Sequence, residues 1–334
     1  MAPDSSPQLP NIAEAILIDA PGGADDMYWG TRDVPTLSDT EVLIKTAAAG
    51  VNFIDTYQRS GVYKVDYPFT PGQEVSGHVA AVGAAVSEFS IGDYVATANG
   101  VNGYGQYAVA EADKVFAARS DLDPVTAAAF PLQGMTAHYL INSTFKVEPG
   151  MTVLSYAGAG GVGLVLTQLL KAKGATVITT ASTPEKIELA KSAGADHVLG
   201  YDNVAQQVRE LTNGKGVDVV YDGVGKDTFE ESLNSLAVRG MLVLFGGASG
   251  QVPPLDPQRL NALGGLYLTR PMLAHYVRDR QELTWRANEL MESIASGELK
   301  IHIGQRYNVQ DAAQAHRDLE GRKTTGKLVL TFQS

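Results

Sequence analysis

The chain of 334 residues contains no cysteine. This absence excludes disulfides, thiolate metal sites and a cysteine nucleophile, and it fits a reducing cytoplasm, which is the expected location. No stretch is apolar over the length of a membrane-spanning helix. Basic residues are also scarce relative to acidic ones, and the formal net charge is −11. Nucleic acid and anionic membranes are therefore not expected as partners.

The length and composition are those of a globular protein with about two domains. The first eleven residues, Met1–Asn11, are rich in Pro, Ser and Gln, without the basic and apolar parts of a secretory signal. They are predicted to form a frayed leader.

A glycine cluster lies between two apolar stretches near the middle of the chain. Val153 and Leu154 belong to a predicted buried strand, Leu164–Leu170 has helical spacing, and Ala175–Thr180 predicts a second strand. In such a right-handed βαβ unit, glycines let the N–H groups at the helix start face a pyrophosphate. The cluster therefore predicts a dinucleotide site, with a tight turn that binds nothing as the alternative. The predicted contacts are Gly158, Ala159, Gly160, Gly161, Val162 and Gly163.

The residues after the second strand indicate which dinucleotide binds. An NAD site usually has Asp or Glu here, which accepts from the ribose hydroxyls. In this chain the first acid, Glu185, lies beyond Pro184, whereas Ser182 is a small donor. Lys186 adds a positive charge one turn on, which favours the extra phosphate of NADPH. The alternative is an ordinary helix start, with Ser182 or Thr183 as the cap and Lys186 solvated.

Short strands and turns dominate the chain before this unit, whereas strands and helices alternate from about residue 150 to residue 247. Such alternation predicts a parallel, doubly wound sheet with helices on both faces. The predicted fold class is α/β, with a nucleotide-binding domain over residues 131–267 inserted into a β-rich domain. That β-rich domain is predicted to comprise residues 12–130 and 268–334.

Four segments carry motifs in a fixed order: Gly50–Gly61, Ala159–Gly163, Val220–Thr228 and Leu266–Pro271. Together they resemble the zinc-independent quinone oxidoreductases related to zeta-crystallin, within the medium-chain dehydrogenase/reductase superfamily. The resemblance extends from about Ala13 to the end of the chain. It implies a GroES-like catalytic domain, an inserted Rossmann domain, NADPH as the reductant, and a homodimer.

Two positions depart from the zinc alcohol dehydrogenases of the same superfamily. By resemblance, Asn52 stands where those enzymes have a metal-binding cysteine, and Gln73 stands where they have a histidine. The loop that holds a structural zinc through four cysteines is missing between Tyr94 and Tyr107. The histidines are scattered without ligand spacing, at His78, His138, His197, His275, His302 and His316. No metal site is predicted, and each histidine is expected to be packed or solvated.

Without a metal, the reaction needs an acceptor that takes a hydride readily. Quinones and conjugated enones do so, and hydrogen bonds to their carbonyl steady the developing charge. The resemblance assigns Asn52 to orient cofactor or substrate, and Tyr57 to donate a hydrogen bond near the substrate oxygen. The alternatives are a loop amide that caps its own backbone and a half-buried packing ring. Asp55 and Arg59 are interpreted as a structural pair or as solvated charges.

The resemblance implies cofactor contacts beyond the glycine cluster. Ser182, Lys186 and Tyr201 match contacts to the 2′-phosphate. Thr136 is the preferred candidate in a segment that faces the nicotinamide, ahead of Gln133. The other implied contacts are Phe245, Gly246, Ser249, Leu268, Thr269 and Lys327, of which the last equally fits the start of a final strand.

Three functions remain open at this point. The leading hypothesis is metal-free reduction of quinones by NADPH, through hydride or electron transfer. The first rival reduces the C=C bond of an enone, alkenal or enoyl thioester with the same donor. The second rival is a non-catalytic protein that only binds NADPH. The expected partners are a small-molecule quinone or enone and a second copy of the chain.

Overall fold

The computed structural model describes residues 9–332. Most of the predicted leader, residues 1–8, lies outside them. The described residues fall into two compact units. Unit 1 contains the chain up to Pro131, then Ile303–Thr324 and the stretch from Leu328, and unit 2 contains Leu132–His302 and Thr325–Lys327.

The first part of unit 1 consists mainly of antiparallel strands. This part also contains two helices, α1 (Phe53–Arg59) and α2 (Pro124–Ala127). The strands are β1 (Ile12–Leu17), β2 (Tyr28–Asp33), β3 (Glu41–Val51), β4 (Glu74–Val82), β5 (Tyr94–Thr97), β6 (Tyr107–Glu111) and β7 (Phe116–Ala117). The long strand β3 pairs with both β4 and β6, and β1 pairs with β2 as a separate two-stranded sheet.

Unit 2 alternates strands and helices, as predicted. Its strands are β8 (Thr152–Ser155), β9 (Thr176–Thr180), β10 (His197–Leu199), β11 (Val217–Asp222), β12 (Leu236–Leu244) and β13 (Tyr267–Thr269). Its helices are α3 (Pro131–Tyr139), α4 (Gly161–Ala172), α5 (Pro184–Ser192), α6 (Val204–Leu211), α7 (Phe229–Ser235), α8 (Gln258–Ala262) and α9 (Arg280–Ser296).

The six strands of unit 2 form one sheet in the order β10–β9–β8–β11–β12–β13, and every neighbouring pair is parallel. The predicted Rossmann sheet is therefore confirmed. Because the strands are parallel, the loops that follow them all leave from the same edge. Ligands bind at this edge in doubly wound sheets. We call the residues that follow these strands the carboxyl edge.

The chain ends in unit 1 with β14 (Ile303–Asn308), α10 (Ala312–Glu320) and β15 (Lys327–Thr331). β15 pairs with β3, which completes a sheet in the order β14–β15–β3–β4–β5–β7. Apolar residues from both parts of the chain share one core; they include Ile44, Val75, Ala315 and Leu328. Burial of this common apolar surface explains why the chain returns to unit 1.

The return occurs later than predicted, because residues 268–302 belong to unit 2 rather than to the β-rich domain. The buried guanidinium of Arg286 holds α9 within unit 2. It donates to His138 Nδ1 at 2.9 Å, to Ser143 Oγ at 2.9 Å and to the carbonyl of Tyr276 at 2.7 Å. These bonds attach α9 to the start of unit 2.

No helix in the described part of the chain combines the length and hydropathy needed to cross a bilayer.

Candidate active site

The glycine loop follows β8 at the carboxyl edge, and several of its positions exclude a side chain. A Cβ on Gly158 would overlap the side chain of Thr179, and one on Gly163 would overlap the carbonyl oxygen of Ala157. Gly158 also donates its N–H to the carbonyl of Thr180 at 2.9 Å. The loop is thus held close to β9, and α4 begins at Gly161 with its first N–H groups at the edge. Such a cradle fits the pyrophosphate of a dinucleotide.

Gln133, which the sequence favours less than Thr136 as a cofactor contact, packs against the glycine loop. A Cβ on Gly161 would overlap the Gln133 side-chain amide. Gln133 and Thr136 are three residues apart on α3, so they lie on the same side of that helix. Thr136 is buried. The side-chain amide of Gln133, which lies beside Gly161 at the start of α4, is therefore also a candidate cofactor contact. Residue type alone could not reveal this.

The predicted 2′-phosphate contacts lie after two adjacent strands of the sheet. Ser182 follows β9 and is exposed, and Tyr201 follows β10 and is also exposed. Lys186 is half-buried in the first turn of α5. Thr183 caps this helix and accepts from the Lys186 N–H at 3.3 Å, so the predicted helix start is confirmed. The helix cap and a phosphate site are compatible, because a capped helix start attracts anions.

The loop after β12 is bound to the loop after β11. The N–H groups of Phe245 and Gly246 donate to the carbonyl of Asp222, at 2.9 and 3.3 Å. The Ser249 hydroxyl donates to the carbonyl of Val224 at 2.8 Å. This bond ties Ser249 to the neighbouring loop, while the backbone of the segment lies at the carboxyl edge.

The remaining predicted contacts of unit 2 differ in their surroundings. Leu268 and Thr269 lie on β13, the outermost strand of the sheet, where Leu268 is exposed. Lys327 is buried and is the first residue of β15, as the alternative interpretation predicts. Its neighbour Gly326 donates an N–H to the carbonyl of Ala159 in the glycine loop at 2.9 Å. Lys327 is thus next to the cradle as well as at the start of a strand.

In unit 1, Asn52 lies between the end of β3 and the start of α1. Its side-chain Nδ2 donates to Glu74 Oε2 at 2.9 Å, and its backbone N–H donates to Asp55 Oδ2 at 2.9 Å. A carboxylate only accepts hydrogen bonds, so the amide nitrogen rather than the oxygen must face Glu74. These two bonds fix both the backbone and the amide plane of Asn52.

Tyr57 is half-buried on α1, where its ring contacts two other aromatic rings. The ring of Phe53 is 6.3 Å away between centroids, and that of Tyr63 packs edge-on at 5.7 Å. Tyr63 was not singled out from the sequence. The structure therefore supports the packing interpretation of the Tyr57 ring, which leaves its hydroxyl as the group with a predicted chemical role.

A buried chain of polar side chains lies behind α1. Asp55 accepts from Tyr104 Oη at 2.9 Å, Tyr104 Oη lies 3.1 Å from His316 Nε2, and His316 Nδ1 lies 3.1 Å from an Arg59 nitrogen. Arg59 also forms an ion pair with Glu320 at 2.8 Å. The interpretation of Asp55 and Arg59 as solvated charges is wrong, because both are buried.

Burial shifts the pKa values of two side chains in this hydrogen-bonded series, Tyr104 and His316. It raises the pKa of Tyr104, and the nearby Asp55 carboxylate raises that pKa further. Burial also lowers the pKa of His316 to about 3, with a further contribution from the positive charge of Arg59. His316 is therefore neutral at physiological pH. Within residues 9–332, no group of three or more His, Cys, Asp or Glu side chains is arranged to hold a metal ion.

Comparison with known proteins follows the same division. An alcohol dehydrogenase GroES-like domain matches residues 38–147, and a zinc-binding dehydrogenase domain matches residues 161–287. The chain is 42% identical to a quinone oxidoreductase of Pseudomonas aeruginosa, over 96% of this chain and 99% of that protein. The chain belongs to the quinone oxidoreductases of the medium-chain dehydrogenase/reductase superfamily. The resemblance inferred from the four motifs is confirmed.

Two further relatives of this chain bear on the cofactor and the substrate. A mycobacterial structure solved in complex with NADPH is 50% identical and superposes with a TM-score of 0.93, covering 95% of this chain and 99% of that one. A 2-haloacrylate reductase from Burkholderia is 38% identical over 96% of this chain and 99% of its own length.

Proposed function

We propose that this protein reduces quinones with NADPH. When bound, NADPH supplies a hydride, and with one proton a quinone becomes a hydroquinone. The observation that carries the proposal is 42% identity with a quinone oxidoreductase over 96% of the chain, combined with a glycine cradle at the carboxyl edge. The related structure that contains NADPH supports the choice of cofactor.

Selection of NADPH over NADH is assigned to Ser182, Lys186 and Tyr201. They follow two adjacent strands, and no acid precedes Pro184 at the point where a carboxylate would bind the ribose of NAD. A hydroxyl, an ammonium and a phenol all donate to a phosphate. Comparison of the dissociation constants of NADPH and NADH tests this assignment, and equal values would refute it.

Asn52 and Tyr57 are assigned to the substrate side. The bond from Asn52 Nδ2 to Glu74 and the capping box with Asp55 hold the amide of Asn52 in one orientation, and this amide is assigned to orient cofactor or substrate. Tyr57 is assigned as a donor to the substrate oxygen, where a hydrogen bond stabilises negative charge as the hydride arrives. No step requires a bound metal, so exhaustive dialysis against a chelator is expected to leave the rate unchanged.

A second candidate function is reduction of an activated C=C bond. The 2-haloacrylate reductase among the relatives favours it, because its name describes reduction of a conjugated acid. Both reactions use the same hydride donor, so the substrate pocket alone distinguishes them.

One experiment separates the candidates. Loss of the reduced-nicotinamide absorbance is followed with 1,4-naphthoquinone, 2-cyclohexenone and 2-chloroacrylate, each with NADPH and with NADH. We expect the highest kcat/KM with the quinone and NADPH. A higher value with the enone or the acrylate would favour the C=C reductase. Tight NADPH binding without turnover of any acceptor would favour the non-catalytic alternative.

We also propose a homodimer and a cytoplasmic location. The outermost strand β13 and the neighbouring β12 carry exposed apolar side chains, with Tyr267 58% and Val238 73% exposed. An exposed strand edge with apolar side chains suits pairing with the same strand of a second copy. Light scattering of the wild type and of Val238→Lys tests the dimer, and a monomeric wild type would contradict it. The cytoplasm is the expected compartment because it supplies NADPH.

A further inference from the structure

Helix α1 is too short to hold its own position. It has seven residues, and isolated helices of this length are unstable in water. Yet it begins directly after Asn52 and contains Tyr57, the two residues assigned to the substrate side. Groups outside the helix must therefore fix where these two side chains lie.

The arrangement of residues around α1 shows which groups do so. Asp55 and Arg59 are four residues apart and therefore share one face of the helix, and both are buried. Tyr57 lies two residues from each of them, which places it on the opposite face, where it is half-buried. One face of α1 is anchored while the other carries the predicted donor.

The hydrogen-bond chain behind the anchored face has one consistent direction. Arg59 can only donate, so His316 Nδ1 must accept from it. Neutral His316 then carries its proton on Nε2 and donates to Tyr104 Oη. The Tyr104 hydroxyl is left to donate to Asp55, whose carboxylate also accepts from the Asn52 N–H. Each member fixes the orientation of the next, and the chain ends at Asn52.

We propose that Tyr104 and His316 are positioning residues, which clamp α1 so that Asn52 and Tyr57 keep the geometry that hydride transfer needs. The proposal rests on the proposed function, since it gives Asn52 and Tyr57 their roles. Neither Tyr104 nor His316 needs to touch substrate. They act through Asp55 and Arg59, and Arg59 is 257 residues closer to the N-terminus than His316.

Kinetics of three variants test the clamp. Tyr104→Phe and His316→Leu are each expected to lower kcat with 1,4-naphthoquinone by about 10- to 100-fold, as small misplacements of reacting groups do. KM for NADPH is expected to change little. His316→Gln retains an acceptor for Arg59 and an N–H donor for Tyr104, so it should keep most of the wild-type kcat. An unchanged kcat in Tyr104→Phe, or a His316→Gln variant as slow as His316→Leu, would overturn the proposal.

Tyr307→Phe is the matched control. Tyr307 is also a buried tyrosine of unit 1, and its hydroxyl donates to Asp318 at 2.9 Å, as that of Tyr104 does to Asp55. Loss of stability without loss of kcat is expected for Tyr307→Phe. If both tyrosine variants lost the same fraction of kcat, the effect would be general destabilisation and the positioning role would be rejected.

Two measurements do not depend on turnover, and the first of them needs no variant. In wild type labelled with ¹⁵N-histidine, His316 is expected as the neutral Nε2–H form at neutral pH, and a proton on Nδ1 would overturn the proposal. Amide hydrogen exchange of residues 52–59 is expected to accelerate in Tyr104→Phe but not in Tyr307→Phe. If the wild type reduced no quinone, the proposed function would fail, whereas equal exchange in both variants would reject the clamp itself.

Discussion

The two units hold their candidate functional residues by different means. Unit 2 uses backbone: its glycine loop leaves no room for side chains at Gly158, Gly161 and Gly163. Unit 1 uses side chains: a buried chain from Arg59 to Asp55 holds the residues around α1. The glycine loop should therefore lose its structure when side-chain atoms are added. The residues around α1 should lose their positions when polar side-chain atoms are removed.

The largest effect is expected from one added methyl group in the glycine loop. In Gly163→Ala the new Cβ would overlap the Ala157 carbonyl, which belongs to the backbone and cannot turn away. The free energy of unfolding should fall by about 1–3 kcal/mol or more, and NADPH binding should weaken strongly because the cradle must deform. Gly200→Ala, where a Cβ meets nothing within 4 Å, is the control for thermal denaturation and cofactor titration. Equal behaviour of the two variants would contradict the cradle.

Charge reversal at Lys186 tests the one charged side chain of unit 2 that is assigned to the 2′-phosphate. Lys186→Glu should weaken NADPH binding by roughly 1–3 kcal/mol, because a charge-assisted bond becomes repulsive. NADH should be little affected. Lys191→Glu makes the same change on the same helix, at an exposed residue paired with Glu188. Similar losses for NADPH and NADH, or for Lys186→Glu and Lys191→Glu, would refute the phosphate assignment.

The buried chain of unit 1 should make stability depend on pH. Folded His316 stays neutral because burial lowers its pKa to about 3, whereas the unfolded chain takes up a proton below its ordinary pKa of 6.5. Stability is therefore lost as pH falls below about 6.5. Between about pH 7 and pH 5 the wild type should lose about 2 kcal/mol more than His316→Gln.

Urea denaturation at several pH values measures this difference. The buried His138, whose pKa is also lowered, contributes in the same direction but is present in both proteins. His197→Gln removes an exposed histidine and serves as the control. Parallel pH profiles for wild type and His316→Gln would show that His316 is not buried in its neutral form.

The smallest effect is expected at Tyr57. Tyr57→Phe keeps the ring contacts with Phe53 and Tyr63 but removes the hydroxyl. The quinone rate should fall about tenfold, as loss of one net hydrogen bond implies, while NADPH affinity stays nearly unchanged. Tyr28→Phe removes an exposed hydroxyl that donates to Asp19 and should not alter the rate. An unchanged rate in Tyr57→Phe would eliminate this residue as the donor.

The cofactor-binding features of unit 2 were easier to predict from the sequence than the contacts around α1. Glycine spacing, apolar strands and the start of α5 at Pro184 are local features, and the parallel sheet follows from their alternation. The motif resemblance supplied Asn52 and Tyr57, but it did not supply the partners that fix them. Glu74 lies 22 residues from Asn52, and no local pattern joins the two.

The elements that were missed have physical reasons. Helix α1 was not predicted because its inward face carries Asp55 and Arg59, so the apolar periodicity that marks a helix is lost. Strand β2 (Tyr28–Asp33) lacks apolar alternation because its residues are half-buried or exposed. The hydrogen bond that holds α9 in unit 2 joins Arg286 to His138, which is 148 residues away. Long-range polar contacts of this kind leave no trace in sequence periodicity.

The central claim is that the carboxyl edge of unit 2 binds NADPH, and a crystal structure of the complex tests it most directly. We predict density for the pyrophosphate against Gly158–Gly163 and for the 2′-phosphate beside Ser182, Lys186 and Tyr201. An empty carboxyl edge in crystals soaked with NADPH, or a cofactor bound elsewhere on the protein, would contradict the account.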